Sequence, residues 1–307
     1  MTDNTRTYIS EIKNIELLAK QVVEGFVTGM HQSPFHGFSV EFAEHKLYNK
    51  GESTRHIDWK LFAKTDKLYV KRYEEETNLR CHIIIDNSAS MHYPKIAKPS
   101  ISNLNKICFS SIASAVLMEV LKRQRDAVGL SIYSKSVEFY APEKGNDAHR
   151  RLLLKKLEDL LSASPQKNTE TYTVLHQIAE KLHRRSLIFL FTDMLQVEKN
   201  EEELFEALRH LKYNKHEVVL FHTYDGKLEL DFDFDNRPKK FVDVETGAEI
   251  NLYADSIKEG YQTEMKTYFK KLKTKCIQYK IEYVPVDINE GFQQVLTSYL
   301  INRNSFK

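Results

Sequence analysis

The chain has 307 residues, of which 41% are hydrophobic and 29% are charged, and its formal net charge is +2. This composition is typical of a globular protein with one large or two modest domains, and the near-neutral charge argues against a strongly basic nucleic-acid binder. No apolar run reaches the roughly 18 residues that a membrane span needs. Three widely spaced cysteines without a CxxC motif argue against a disulfide framework or a zinc site. We therefore expect a soluble cytoplasmic protein with reduced thiols.

The first part of the chain, residues 1–79, differs in texture from the remainder. Residues 8–30 place apolar side chains at spacings of three and four, which predicts an amphipathic helix. From residue 31 to 79 the sequence consists of short aromatic-rich pieces with turn signals such as Ser33-Pro34, which indicates a small β or irregular subdomain. We therefore predict a separate N-terminal region over residues 1–79.

From residue 80 to 307, strand-like apolar runs alternate with helical patterns. The predicted strands are Cys81–Ile85, Ala127–Tyr133, Leu187–Phe191, Glu217–His222 and Ile281–Val286. The predicted helices lie near 104–124, 147–162, 172–184, 200–213, 256–278 and 289–301. Apolar strands separated by helices of this length indicate βαβ units, and therefore an α/β, Rossmann-like domain with a mostly parallel sheet covered on both faces. Alternating apolar and charged residues at 225–252 predict a surface hairpin inserted into it.

Two of the predicted strands end in carboxylates. The first is followed by Asp86, Ser88 and Ser90 in an Asp-x-Ser-x-Ser spacing, and the third is followed by Asp193. Ligands of open parallel sheets bind beyond the carboxyl ends of the strands, so these side chains are expected at one edge of the sheet. Carboxylate and hydroxyl oxygens are the ligands of hard cations such as Mg²⁺. The alternative interpretation is that Asp86 and the serines only cap the following helix.

A hydroxyl-rich loop, residues 168–173, lies between these two strands in the sequence. It opens the predicted helix at 172–184 and contains Thr169 and Thr171. Because a threonine hydroxyl adds a further oxygen donor, this loop is the third segment that we expect at the same edge.

The Asp-x-Ser-x-Ser segment, a distant threonine and a distant strand-end aspartate together resemble the metal-ion-dependent adhesion site of von Willebrand factor A domains. The resemblance implies a site for Mg²⁺ or Mn²⁺ that is formed by Asp86, Ser88, Ser90, Thr169 and Asp193. Thr169 is preferred to Thr171 because its spacing to Leu175 fits the family pattern.

The stretch at residues 37–76 is similar to the signature of the bacterial domain-of-unknown-function family fifty-eight. It contains Gly37-Phe-Ser-Val-Glu-Phe-Ala-Glu44, Arg55-His-Ile-Asp-Trp-Lys60 and Leu68-Tyr-Val-Lys71. Members of that family carry a divergent von Willebrand A-like domain and are typically encoded beside AAA+ ATPases of the MoxR type. The resemblance therefore implies an adaptor or chaperone-like partner of such an ATPase.

We accordingly predict a non-enzymatic protein-interaction module. Its bound cation lacks part of its oxygen shell, so that an acidic side chain of a partner can complete it. The expected partner is a MoxR-type AAA+ ATPase, with no nucleic acid, membrane span or small-molecule substrate. The alternative is a Mg²⁺-dependent hydrolase or phosphotransferase with Asp86 as nucleophile, although Ser88 stands where a second acid is expected and no phosphate-binding glycine motif occurs.

Overall fold

A computed structural model describes residues 14–29, 42–48, 58–73, 79–96, 98–162, 171–195, 197–243 and 247–305. These residues form two compact units. The smaller unit falls within residues 27–78, and the larger one comprises the described residues up to Phe26 and from Leu79 onwards. The sequence-based boundary at residue 79 stays a prediction.

The described residues contain eight α-helices and ten strands. The helices are α1 (Ile15–Gly29), α2 (Trp59–Thr65), α3 (Lys106–Arg123), α4 (Asp147–Leu161), α5 (Thr171–Lys181), α6 (Val197–Lys212), α7 (Ala254–Gln278) and α8 (Gln293–Ser305). The strands are β1 (Phe42–Leu47), β2 (Tyr69–Tyr73), β3 (Arg80–Asp86), β4 (Ala127–Tyr133), β5 (Val137–Lys144), β6 (Leu187–Thr192), β7 (Glu217–Tyr224), β8 (Pro238–Val242), β9 (Glu249–Tyr253) and β10 (Glu282–Asp287). None of the described helices is both long and apolar enough to cross a membrane.

The larger unit is built on a six-stranded sheet with the order β10-β7-β6-β3-β4-β5. The first five strands in this order run parallel, and β5 pairs antiparallel with β4 at one edge. The inner strands β3 and β6 are buried along almost their whole length, as expected when helices cover both faces of a parallel sheet. The prediction of a mixed α/β fold with a mostly parallel sheet is therefore confirmed.

Two elements extend or differ from the predicted ones. Strand β5 was not predicted, and its half-buried sequence includes Pro142, a residue that sheets accept mainly at their edges. The segment after β7 begins with a single π-helical turn at Gly226–Leu230, and only then forms the antiparallel hairpin of β8 and β9. The alternation of apolar and charged residues over 225–252 does not distinguish this turn from a strand.

Helix α3 lies in the interior of the larger unit. Its residues from Lys106 to Leu121 are all buried, so the helix is covered all round rather than along one face. Asn105 caps its N-terminus by accepting a hydrogen bond from the Cys108 backbone N–H at 2.9 Å. This cap fixes where the helix begins, and therefore places Lys106 at its first turn.

The smaller unit contains β1, β2 and α2. Strands β1 and β2 pair antiparallel. Asp58 caps α2 by accepting hydrogen bonds from the backbone N–H groups of Lys60 and Leu61, both at 3.1 Å. Trp59 begins this helix, and 61% of its surface is exposed. The Ile-Asp-Trp-Lys sequence at 57–60 thus includes the start signal of a helix.

A buried polar trio connects β3, β4 and β5. His82 Nδ1 lies 2.6 Å from Glu143 Oε1, and His82 Nε2 lies 2.7 Å from Ser131 Oγ. The same residue types form nucleophile and base pairs in hydrolases. All three side chains are fully buried, however, so no substrate reaches Ser131 and the trio acts as a structural link between the strands.

Gly129 is required by the close approach of this trio. A Cβ at residue 129 would lie 2.5 Å from His82 Nδ1 and 2.8 Å from the Ala141 backbone oxygen, and that oxygen cannot move without moving β5. We predict that Gly129→Ala lowers the free energy of unfolding by roughly 1–3 kcal/mol, measured by urea denaturation. Gly145→Ala is the matched control because a Cβ there meets no atom within 4 Å. Equal stabilities of the two variants would contradict this account.

Candidate functional site

The ends of β3 and β6 bring four of the five predicted ligands to the same edge of the sheet. Asp86 is the last residue of β3, Ser88 and Ser90 lie in the turn that follows, and Asp193 follows β6 directly. Since β3 and β6 are parallel neighbours, their carboxyl ends lie side by side. All four residues are buried. The fifth, Thr169, lies outside the described residues.

The Asp86 carboxylate is held by neighbours on both strands. Its Oδ1 accepts a hydrogen bond from the Ser88 backbone N–H at 2.9 Å, and its Oδ2 accepts one from Thr192 Oγ1 at 2.8 Å. The hydroxyls of Ser88 and Ser90 lie 3.1 Å apart and share a hydrogen bond. The two serines of the motif thus point to a common place, and Thr192 is a site residue that the sequence did not reveal.

Burial and a second carboxylate make the negative charge on Asp86 costly. Burial, followed by the nearby charge of Asp193, raises the pKa of Asp86 to about 7, although the hydrogen bonds from Thr192 and Ser88 oppose the shift. The phenol of Tyr133 is fully buried, and its pKa is raised by that burial and by the charge of Asp86. Burial and the charge of Asp193 thus act together to make the ionised form of Asp86 unfavourable.

Asp193 is positioned by contacts on both its backbone and its side chain. Its backbone oxygen accepts a hydrogen bond from His222 Nε2 at 3.0 Å. Burial lowers the pKa of His222 to about 4, so the ring is neutral at pH 7, with Nδ1 left to accept from the Tyr283 hydroxyl at 2.7 Å. The carboxylate Oδ2 accepts from Lys106 Nζ at 2.8 Å. These contacts fix the strand end that carries Asp193.

Lys106 is a fully buried cation at this site. Besides Asp193, its ammonium contacts Glu229 Oε1 at 2.5 Å. Burial alone would lower the pKa of Lys106, but the charges of Asp193 and Glu229 outweigh it and raise the pKa. The ammonium therefore stays charged between the two carboxylates.

Glu229 belongs to the π-helical turn that follows β7. Its second oxygen, Oε2, accepts a hydrogen bond from the Asp225 backbone N–H at 2.8 Å. Burial raises the pKa of Glu229, and the charge of Lys106 acts in the opposite direction. The turn thus places a carboxylate at the site, in a segment whose sequence pattern predicts only a surface hairpin.

The charges of the site favour a divalent cation. Asp86, Asp193 and Glu229 contribute three carboxylates against the single ammonium of Lys106, which leaves two formal negative charges in excess when Asp86 is ionised. The donors beside Asp86 are the hydroxyls of Ser88 and Ser90, and such oxygens suit Mg²⁺ or Mn²⁺. The residues present therefore fit a hard cation.

The site depends on hydroxyl oxygens as well as carboxylates. Among the described residues, no group of three or more His, Cys, Asp or Glu side chains is arranged to hold a metal ion. A cation bound here would be coordinated by oxygens of Asp86 and Asp193 together with the hydroxyls of Ser88 and Ser90. Such a set contains few charged ligands, and it leaves coordination positions for water or for an incoming carboxylate.

An open groove lies on the same edge of the sheet. It has a volume of about 640 Å³ and is lined by segments that follow β3, β7 and β10. Lys95, Lys98 and Lys227 contribute exposed ammonium groups that form no ion pair within the described residues. Asp225, a lining acid, is buried and accepts from two backbone N–H groups and from Asn289 Nδ2. The lining also contains the exposed Asp233, so three lysines against two aspartates leave the groove with a net formal charge of +1.

A family model described as "Protein of unknown function DUF58" matches residues 44–269. Two relatives, uncharacterized proteins of Mycobacterium bovis and Mycobacterium tuberculosis, are each 20% identical to the chain over 184 residues. The matches cover 60% of this chain and 56% of the relatives, so the chain spans only a little over half of their length.

Two solved structures align with this chain at low sequence identity. The conserved hypothetical protein BatB from Bacteroides thetaiotaomicron aligns with a TM-score of 0.44 and 17% identity, covering 75% of this chain and 100% of that chain. An aerotolerance-related membrane protein from Bacteroides fragilis aligns with a TM-score of 0.43 and 17% identity, covering 73% and 99%. Similarity at this level carries no function from those proteins to this chain.

The charge on Asp86 leads to a prediction about stability and pH. At pH 8 and in the presence of a chelator, Asp86→Asn should have a higher free energy of unfolding than the wild type, by on the order of 2 kcal/mol. Its melting temperature should rise accordingly, because the substitution removes a buried charge beside Asp193. The wild-type penalty is absent below the ordinary aspartate pKa of about 4 and grows until the pH reaches about 7. Thermal melts across this range measure it, and an advantage that does not grow with pH would refute the prediction.

Proposed function

The chain belongs to the DUF58 family, and we propose that its larger unit is a von Willebrand A-like module that binds a partner protein through a Mg²⁺- or Mn²⁺-dependent contact. The observation that carries this proposal is the convergence of Asp86, Ser88, Ser90 and Asp193 at the carboxyl edge of the sheet, with negative charge in excess. The function is binding, because this arrangement supplies oxygen ligands and no activated nucleophile.

The side chains of the site would have different roles in binding the cation. Ser88, Ser90 and a carboxylate of the site would hold the cation, with Thr169 as the further hydroxyl that the family resemblance implies. A bound cation would present an open coordination position to an oxygen ligand from outside the chain. Thr192 would keep Asp86 in place, and His222 would hold the backbone of Asp193, while that ligand exchanges. An acidic side chain of a partner is the ligand that such a position favours.

The neighbouring groove favours a partner segment with several acidic residues. Lys95, Lys98 and Lys227 lie in segments that follow the carboxyl ends of the strands, on the edge where the cation would lie. Lysines around a contact steer an acidic segment towards it and add a salt-dependent share to the affinity. The partner that the family resemblance implies is a MoxR-type AAA+ ATPase, with which the module would act as an adaptor or chaperone-like component.

The metal part of this proposal predicts a difference between two serines. Ser88→Ala should weaken Mn²⁺ binding by at least about tenfold in titration calorimetry, because it removes an oxygen from the ligand set. Ser102→Ala is the matched control, since Ser102 belongs to an exposed Ser-x-Ser pair whose hydroxyls lie 3.3 Å apart. Equal Mn²⁺ affinity of the two variants would count against a metal site at Ser88.

The docking part predicts how a partner is captured. We expect the chain to retain a MoxR-type ATPase on a column with Mg²⁺ and to release it on addition of chelator. Lys227→Glu should weaken this binding about threefold to tenfold, because it reverses a charge in the groove. Lys273→Glu, an equally exposed change on α7 outside the groove, should leave it unchanged. Retention that is indifferent to chelator would argue against the metal-dependent contact.

A further inference from the structure

We infer that Lys106 is a built-in counter-ion of the cation site, which occupies Asp193 and holds the divalent-cation affinity of the free protein below what its carboxylates would otherwise give. This inference rests on the proposed function, because it concerns the same site. It adds a residue that tunes the affinity of the site from inside the fold.

The first observation is the burial of the Lys106 ammonium. Lysine is almost never fully buried unless it is paired, and Lys106 is fully buried. It lies 2.8 Å from Asp193 Oδ2 and 2.5 Å from Glu229 Oε1. The ammonium is therefore fixed in direct contact with a carboxylate of the proposed site.

The second observation is that helix α3 by itself does not favour a cation at this position. Lys106 is the first residue of α3, where the helix dipole favours negative charge. The two carboxylates must outweigh both this dipole and the desolvation of the ammonium. The two carboxylates thus determine the position of the Lys106 ammonium. Because the ammonium contacts Asp193, it must also act on any cation that binds Asp193.

The expected effect comes from simple electrostatics. An ammonium that contacts a ligand carboxylate repels a divalent cation and also withdraws charge from that carboxylate. Glu229 acts in the opposite direction, because it neutralises part of the ammonium charge. Removing Lys106 should therefore strengthen cation binding, removing the charge of Glu229 should weaken it, and removing both should nearly cancel.

The experiment measures Mn²⁺ affinity by electron paramagnetic resonance of free Mn²⁺ for the wild type and three variants of the full chain. Lys106→Met should bind Mn²⁺ at least about tenfold more tightly than the wild type, and Glu229→Gln about tenfold more weakly. The double variant should lie within about threefold of the wild type. Thermal melts with chelator and with Mn²⁺ form the second measurement, in which Mn²⁺ should raise the melting temperature of Lys106→Met more than that of the wild type.

Each outcome bears on the inference. If Lys106 has only a structural role, Lys106→Met loses stability while its Mn²⁺ affinity is unchanged or weaker, and the counter-ion is refuted. If Lys106→Met does not fold, Glu229→Gln decides alone, and an affinity equal to that of the wild type refutes it. If the wild type binds Mn²⁺ and all three variants bind it equally well, only the counter-ion role of Lys106 fails. If neither the wild type nor any variant binds Mn²⁺, the proposed metal contact fails as well.

Discussion

The contact of the Lys106 ammonium with Asp193 and Glu229 joins three elements that are distant in the sequence. It connects the first turn of α3, the end of β6 and the turn after β7 at one edge of the sheet. Breaking a buried pair of this kind leaves an uncompensated charge at a cost of about 3–5 kcal/mol, so the three elements are held together whenever the larger unit is folded. The contact engages the carboxylate of Asp193, while the backbone of Asp193 is held separately by His222. The same turn also carries Lys227, so the groove and the buried charges share one short segment.

The sheet contains two polar networks that differ mainly in where they lie. His82, Ser131 and Glu143 form a fully buried trio within the strands, in which both ring nitrogens of His82 are paired while Glu143 Oε2 has no hydrogen-bond partner among the described residues. Asp86 and Asp193 lie at the strand ends, where backbone pairing stops, although their side chains are nearly as buried as the trio. Residue types alone would favour catalysis at the first network. The position at the strand ends and the unbalanced charge distinguish the second network, and it is on these features that the proposed binding function rests.

The strand ends that the sequence places at one edge of the sheet are those whose signal is local. The apolar strand before Asp86 and the spacing to Ser88 and Ser90 lie within a single short stretch, and parallel pairing then brings Asp193 to the same edge. Lys106 and Glu229 could not be predicted in this way, because their pairing spans 123 residues and has no periodic pattern. One signal was present: a lysine at the start of an otherwise largely apolar and small-residue helix is out of place unless an acid meets it. No corresponding signal marks Glu229, because a glutamate in an alternating polar segment normally faces water.

The position of Trp59 has a spectroscopic consequence. It is the single tryptophan of the chain, and it lies in α2 of the smaller unit with most of its ring in solvent. Excitation at the red edge of the protein absorbance therefore gives tryptophan fluorescence from the smaller unit alone, and the larger unit contributes none. A ligand that covers α2 would shift this emission to shorter wavelengths. The chain thus carries an intrinsic probe of its smaller unit that needs no label.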